Sequence, residues 1–183
     1  MINKILAFFL LFLFSPLFLL IILFIIIDDG TPFLYKQIRV GLNSESFVIY
    51  KFRTMKLNTP ELPTHMLLDS NKYLLRIGKY LRKFSLDELP NLINILKGEM
   101  VFIGPRPALH NQYDLIELRK KYGIDKLSPG ITGWAQVNGR DELSIDDKCK
   151  FDKEYLDKRS VGFDLKILLL TFSKVILGSG VKH

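Results

Sequence analysis

The 183-residue sequence is poor in the residue types from which many sites are built. Cys149 is its only cysteine, which excludes an intramolecular disulfide and a cysteine-based zinc cluster and fits a reducing compartment. The three histidines, His65, His110 and His183, are scattered without metal-binding spacing. No G-x-G-x-x-G or G-x-x-x-x-G-K-[ST] occurs, so a Rossmann or P-loop nucleotide site has no support. A G-x-S-x-G elbow is also missing, which counts against hydrolases of that fold. There is no internal repeat and no low-complexity tract, and the length allows one compact domain plus a membrane element.

Charge is nearly absent from the beginning of the chain, where Lys4 is the only ionisable side chain before Asp28. From Ile5 to Ile27 the residues are almost purely apolar, and a helix of roughly 23 residues would reach about 35 Å, enough to cross a bilayer core. A cleaved signal peptide fits less well, because the run is long and is followed by Asp28, Asp29 and Gly30 rather than by a small-residue cleavage site. Ser15 and Pro16 interrupt the run. Proline lacks an N–H and crowds the carbonyl four residues back, so a kink is expected, with the Ser15 hydroxyl or a packed neighbour serving the freed carbonyl. A kinked spanning helix and a re-entrant helix that returns to its starting face both fit. Cations on both sides, Lys4 before and Lys36, Arg39, Lys51 and Arg53 after, lean toward both ends being cytoplasmic.

The remainder is basic, since the chain carries 26 Lys and Arg against 19 Asp and Glu. Such an excess favours anionic partners without choosing among lipid headgroups, nucleotides and nucleic acid. FLYKQIRV and SFVIYKFR flank the turn-like GLNSE and predict a β-hairpin, in which alternation puts Lys51 and Arg53 on one strand face. After the loop NTPELPTH, helices are expected near Asn71 to Lys83 (with Leu74, Ile77, Gly78 and Leu81 as the buried stripe), Pro90 to Lys97, Ala108 to Tyr122 and Ser144 to Lys158. Two long loops, KGEMVFIGPRP and SPGITGWAQVNGR, exceed what a simple connection needs. The last stretch, GFDLKILLLTFSKVILG, is too short and too interrupted by charge to span; an interfacial helix and a core helix both suit it.

In FSLDELPNL, Ser85 and Glu88 match a capping box and Pro90 fits a first helical turn. Asp87 and Glu88 equally suit chemistry, because a helix start favours ionised carboxylates, an ionised Asp is a usable nucleophile, and adjacent carboxylates suit Mg²⁺. In GPRP, the glycine permits a turn and the two prolines restrict the segment that holds Arg106, whose guanidinium matches phosphate as a fork. Lys51, Arg53 and Arg82 could complete a phosphate pocket around the acidic pair. A membrane-anchored nucleic-acid binder and a non-catalytic scaffold are the alternatives. No nucleic-acid motif supports the first, and the intact Asp87-Glu88 and Arg106 speak against the second.

Taken in order, these segments resemble the bacterial sugar transferase family, the small monotopic polyprenyl-phosphate phosphoglycosyl transferases. The likeness rests on the Ser15-Pro16 break, KFRTM at 51–55, LRKFSLDELPNLINILKGEMVFIGPRP at 81–107, SPGITGWAQVNGR at 128–140 and FDKEYLDKRSVGFDLKIL. With nothing ahead of the membrane helix, the chain looks like the minimal catalytic form of that family. The resemblance implies an α+β, mostly helical fold. A re-entrant membrane helix would occupy residues 1–29, and a cytoplasmic, membrane-associated catalytic domain with a small β-hairpin and interfacial amphipathic helices residues 30–183. It implies that Asp87 attacks the sugar-proximal phosphorus of a UDP-sugar, that UMP leaves, and that polyprenyl (undecaprenyl) phosphate then takes the phosphosugar. Glu88 would serve as metal ligand or acid/base partner beside Asp87, Mg²⁺ would bridge the diphosphate, and Lys51, Arg53, Arg82 and Arg106 would hold phosphate oxygens. The expected partners are the UDP-sugar, the polyprenyl phosphate and membrane lipids, with no nucleic acid and homo-oligomerisation left open. The expected place is the cytoplasmic face of a bacterial inner membrane.

Overall fold

A computed structural model describes residues 1–60, 70–139 and 142–177. His65, Arg140, His183 and much of the NTPELPTH loop lie outside the described residues.

The apolar opening forms two helices, α1 (Ile2–Leu13) and α2 (Ser15–Asp29), bent by 60°. The cause is local. An uninterrupted helix would satisfy the Phe12 carbonyl from the N–H of residue 16, which proline lacks, and the Ser15 hydroxyl donates to that carbonyl at 2.7 Å instead. Neither helix alone is long and apolar enough to cross a membrane.

β1 (Leu34–Val40) and β2 (Ser46–Phe52) pair antiparallel as the predicted hairpin, with Asn43 and Ser44 of the turn at positive φ. The two long loops contribute strands of their own. β3 (Val101–Ile103) pairs in parallel with β5 (Gly130–Thr132), and β4 (Ala108–Leu109) adds to the free side of β1. Helices α3 (Gly78–Lys83), α4 (Leu92–Lys97), α5 (Tyr113–Lys121), α6 (Trp134–Val137), α7 (Ile145–Lys158) and α8 (Val161–Leu177) complete the mostly helical α+β fold.

Both arms of the bent pair return to the same body. Ala7 of α1 packs with Ile49, Leu92, Ile95 and Met100, and Ile21 and Ile25 of α2 pack with Phe52, Leu75 and Leu81. At one end Lys4 lies beside Gly98, just past α4. At the other, Asp28 accepts from the Arg76 N–H at 2.7 Å and Asp29 from the Leu57 N–H at 2.8 Å. Two further apolar clusters join α5 to α7 (Leu115, Ile124, Cys149) and α7 to α8 (Leu127, Val137, Tyr155, Ile167).

Several expected boundaries move. The helix expected from Asn71 shrinks to a 3-10 turn at Ser70–Tyr73 and the short α3, because Leu75 N donates to Thr54 O and Lys56 N to Tyr73 O, which draws the chain between them into an extended bridge. Leu75 rather than Leu74 therefore becomes the fully buried position. The helix expected from Ala108 starts at Tyr113, since Ala108 and Leu109 pair with Val40 and Arg39. α7 begins as expected, with the Ser144 hydroxyl capping the Asp147 N–H at 3.1 Å. α8 buries Ile167 completely and leaves Leu165, Leu169 and Phe172 exposed, so it is packed on one side only.

Candidate active site

β2 is an outer strand, and a strand in that place presents unpaired backbone groups. A 3-10 turn at Leu86–Asn91 running into α4 covers it. Residues three apart share a face in such a turn, so Glu88, Asn91 and Asn94 all look toward β2. Asn91 Oδ1 accepts from the Tyr50 N–H at 3.2 Å, and Asn94 Nδ2 donates to the Val48 carbonyl at 2.6 Å. Two asparagines thus stand in for a missing neighbour strand, and the same register sets Glu88 over Lys51.

Glu88 is 7 % exposed, and one of its oxygens meets two cations: Lys51 Nζ at 2.8 Å and Arg106 Nη2 at 3.2 Å. A carboxylate this deep needs such partners to offset its lost hydration. The capping box read from Ser85 and Glu88 does not form. Ser85 takes a left-handed backbone with φ 53°, its side chain makes no cap bond, and the Glu88 carboxylate goes across to β2 instead. A non-glycine residue in that conformation costs about 1 kcal/mol or more, and such strain gathers at functional sites.

Asp87, half-buried, precedes Glu88 in the 3-10 turn and has Arg82 as a charged neighbour. Burial pushes the Arg82 guanidinium down from its ordinary value and the negative charge of Asp87 pulls it back, while Arg82 Nε donates to Thr54 Oγ1 at 2.9 Å.

Arg106 comes from the other side, on a loop built by close backbone contact. Added Cβ atoms at Gly104, Gly130 and Gly133 would lie 2.1–2.3 Å from backbone atoms of the facing segment, so only glycine lets the GPRP and SPGITG stretches touch. The hydrogen bonds Gly104 N to Thr132 O and Gly130 N to Pro105 O, each 2.9 Å, lock them together.

Of the residues nominated from the sequence, the structure brings Lys51, Glu88 and Arg106 into contact and makes Arg82 a charged neighbour of Asp87, the residue before Glu88. It does not bring Arg53. That guanidinium donates to the Asp29 carboxylate and to the Asp29 and Gly30 carbonyls at 3.0 and 2.6 Å, closing the end of α2. The structure thus engages Arg53 at the end of α2. The physical reason is that helix-end carbonyls lack partners of their own and attract a donor.

A groove of about 280 Å³ leads away from Glu88, past Ser85 and Phe84, to Leu10 and Phe14 of the bent pair, with Lys83 and Lys174 along it.

A sequence profile of the bacterial sugar transferase family matches residues 1–178. The sugar transferase EpsL of Bacillus subtilis, described as uncharacterized, is 41 % identical over 178 residues, covering 97 % of this chain and 86 % of its own. The UDP-glucose:undecaprenyl-phosphate glucose-1-phosphate transferase of Escherichia coli is 36 % identical over 94 % of this chain. An Aeromonas hydrophila transferase named for N-acetylgalactosamine phosphate and undecaprenyl phosphate is 34 % identical over 93 %. The chain spans 39 % and 41 % of the length of these last two. The chain belongs to the bacterial sugar transferase family.

For this bacterial sugar transferase, the residues that sequence reasoning left without a role now separate. Trp134 is a packing residue: its ring meets Phe163 at 4.9 Å, Lys166 lies over it, and its N–H donates to Glu154 at 2.8 Å. Gln136 lines the groove, donating to the Ile131 carbonyl at 2.7 Å and leaving a buried Oε1 without a partner among the described residues. Asn91, Asn94, Arg39 and Arg119 were missed altogether. Polar residues three apart inside LDELPNLINIL were a readable signal for the first two; for the arginines no local signal exists.

Proposed function

We propose that the protein moves a sugar-1-phosphate from a UDP-sugar to polyprenyl phosphate with release of UMP, at the cytoplasmic face of a bacterial membrane, as the first membrane step of glycan assembly. The observation that carries this reading is Glu88, paired with Lys51 and Arg106 and preceded by Asp87 with Arg82 as its charged neighbour, at one end of a groove whose other end is apolar helix. An anionic donor and an anionic acceptor must meet there, and phosphoryl transfer depends mainly on positioning and on cations that offset charge. The named relatives use such substrates.

In the proposed course, an Asp87 oxygen attacks the sugar-proximal phosphorus. The bond from that phosphorus to the bridging oxygen breaks, and UMP leaves with the electron pair. An oxygen of polyprenyl phosphate then attacks the same phosphorus and frees the carboxylate, so the two substrates visit in turn. Lys51, Arg82 and Arg106 hold phosphate oxygens, and the groove takes the start of the isoprenoid tail. Among the described residues no group of three or more His, Cys, Asp or Glu side chains gathers. Two adjacent carboxylates nevertheless suit Mg²⁺, which takes one or two protein oxygens and keeps the rest for water and substrate phosphate. Asp87 and Glu88 would hold it with the diphosphate, and when bound it supplies positive charge to the donor.

The membrane part of the proposal is a re-entrant α1–α2 unit. Its α2 end is hydrogen-bonded to the polar body and its α1 arm packs on the same body with Lys4 beside Gly98, while Phe8, Phe12, Leu19 and Ile27, with Leu169 and Phe172 of α8, stay exposed. Each large apolar side chain left in water forgoes about 2 kcal/mol, so lipid is the cover that suits them. An impermeant maleimide should label Asn3→Cys from the cytoplasmic side only; labelling from the outer side would replace this topology with a span.

The deciding experiment is UMP release from a panel of UDP-sugars by detergent- or nanodisc-held enzyme with Mg²⁺, with and without polyprenyl phosphate. Lipid-dependent turnover that vanishes in Asp87→Asn is the expected result. Substantial activity in Asp87→Asn would remove the covalent scheme.

A further inference from the structure

The GPRP loop has a donor problem. Pro105 and Pro107 have no N–H, so the segment has little with which to tie itself down, yet its three successive carbonyls all need partners. Three different elements supply them. Pro105 O accepts from Gly130 N at 2.9 Å, Arg106 O from Arg119 Nη1 at 2.8 Å, and Pro107 O from Arg39 Nη1 at 3.1 Å. The first bond is backbone to backbone and survives most changes of sequence. The second depends on one side chain.

Arg119, on α5, is 9 % exposed and is itself held by Asp152 of α7, which is 1 % exposed. Nε and Nη2 both donate to Asp152 Oδ2, at 3.1 and 2.6 Å, which leaves Nη1 aimed at the Arg106 carbonyl. A buried pair of this kind is a poor device for stability alone, because apolar side chains of similar volume serve as well or better. Its neighbours between α5 and α7, Leu115, Ile124 and Cys149, show that an apolar filling suits the place. What the pair adds is a rigid donor at a fixed point.

We propose that Arg119, locked by Asp152, is a positioning residue for Arg106, holding the carbonyl of that residue so that its guanidinium is set toward the diphosphate of the donor. This rests on the reading of Arg106 as a phosphate-binding cation. Lysine cannot replace Arg119, since one ammonium on a flexible stem does not reproduce a planar fork that bonds two partners in two directions.

The test uses UDP as the probe, with Mg²⁺, on the full chain in detergent, and compares wild type, Arg119→Lys, Arg106→Lys and the double variant by calorimetric titration. Arg119→Lys should weaken UDP about 10-fold, the size of one lost charge-assisted hydrogen bond at the ligand. In the Arg106→Lys background the same change should cost less than about 2-fold, because residues acting through one another are not additive. Should Arg119→Lys fail to fold, Asp152→Asn, which keeps the shape and an acceptor, carries the same cycle. Wild-type affinity in both variants, or an undiminished loss in the Arg106→Lys background, overturns the proposal. Unaltered UDP binding in Arg106→Lys overturns the phosphate reading on which it stands, and is seen separately from either result.

Discussion

Lys51 and Arg53 are two residues apart at the end of β2, and each meets a carboxylate, but they serve opposite ends. Arg53, 7 % exposed, spends both terminal nitrogens on the protein itself, on the carboxylate and carbonyls that finish α2, while its buried Nε has no partner among the described residues. Lys51 shares a single Glu88 oxygen with Arg106, and Arg82 stands beside the neighbouring Asp87. One region matches a cation to helix-end acceptors and works as a latch. The other gathers three cations about two carboxylates, which is the arrangement an incoming phosphate needs. Residue type does not separate a structural cation from a functional one; the acceptor that the fold places in front of it does.

The sharpest way to break that contrast is at the acidic pair. Asp87→Asn should lower the rate of UMP release by about 10⁴-fold or more, as expected where a nucleophile is lost. Glu88→Gln should cost less, about 10²-fold, because a general acid–base or positioning role contributes a smaller factor. Equal losses in the two variants would mean that the pair works as a unit, and the distinction between nucleophile and partner would fall.

A matched pair of substitutions on β2 compares the regions directly. Lys51→Met should weaken UDP about 10-fold, as measured by titration, since the proposed course gives Lys51 a phosphate oxygen to hold. Arg53→Met should leave UDP affinity unchanged and lower Tm by about 5 °C, because its bonds fasten α2 and not a ligand. The reverse pattern would restore Arg53 to the phosphate site and make Lys51 the latch.

What was legible in advance follows how local its cause is. The hairpin was legible from β-formers on either side of a turn, α7 as a helix near Ser144 to Lys158, and the α1–α2 bend from the N–H that Pro16 lacks. The bridge of Leu74 to Met55, the joining of Ala108–Leu109 to β1 and the pairing of β3 with β5 were not, because each depends on a partner distant in the chain. The same holds at the site. Asp87, Glu88 and Arg106 stand in segments whose own composition marks them, whereas Lys51 and Arg53 looked alike until β2 was placed under the 3-10 turn at one point and under the end of α2 at another. Arg119 and Asp152, 33 residues apart, gave no sign of each other.

The smallest effect is expected at the support behind Arg106, which resembles the latch in spending its guanidinium on a carbonyl and a carboxylate of the protein itself. Cys149 lies one turn before Asp152 on α7 and is 2 % exposed. Burial chiefly, with the charges of Asp152 and Asp146 adding and Arg119 opposing, pushes its thiol up to about 11. At pH 8 only about one molecule in a thousand then carries the reactive thiolate, so the folded chain should label slowly with a disulfide reagent and the denatured chain rapidly. Because the folded value is raised, the contribution of this group to stability is complete below its ordinary value near 9 and is lost as pH climbs toward 11. Saturating UDP should leave the slow labelling at pH 8 unchanged, since the ligand fills the cation-rich region and leaves the α5–α7 contact as it was. Rapid labelling of the folded chain at pH 8 would mean that this contact opens, and a support that opens could not fix the Arg106 carbonyl.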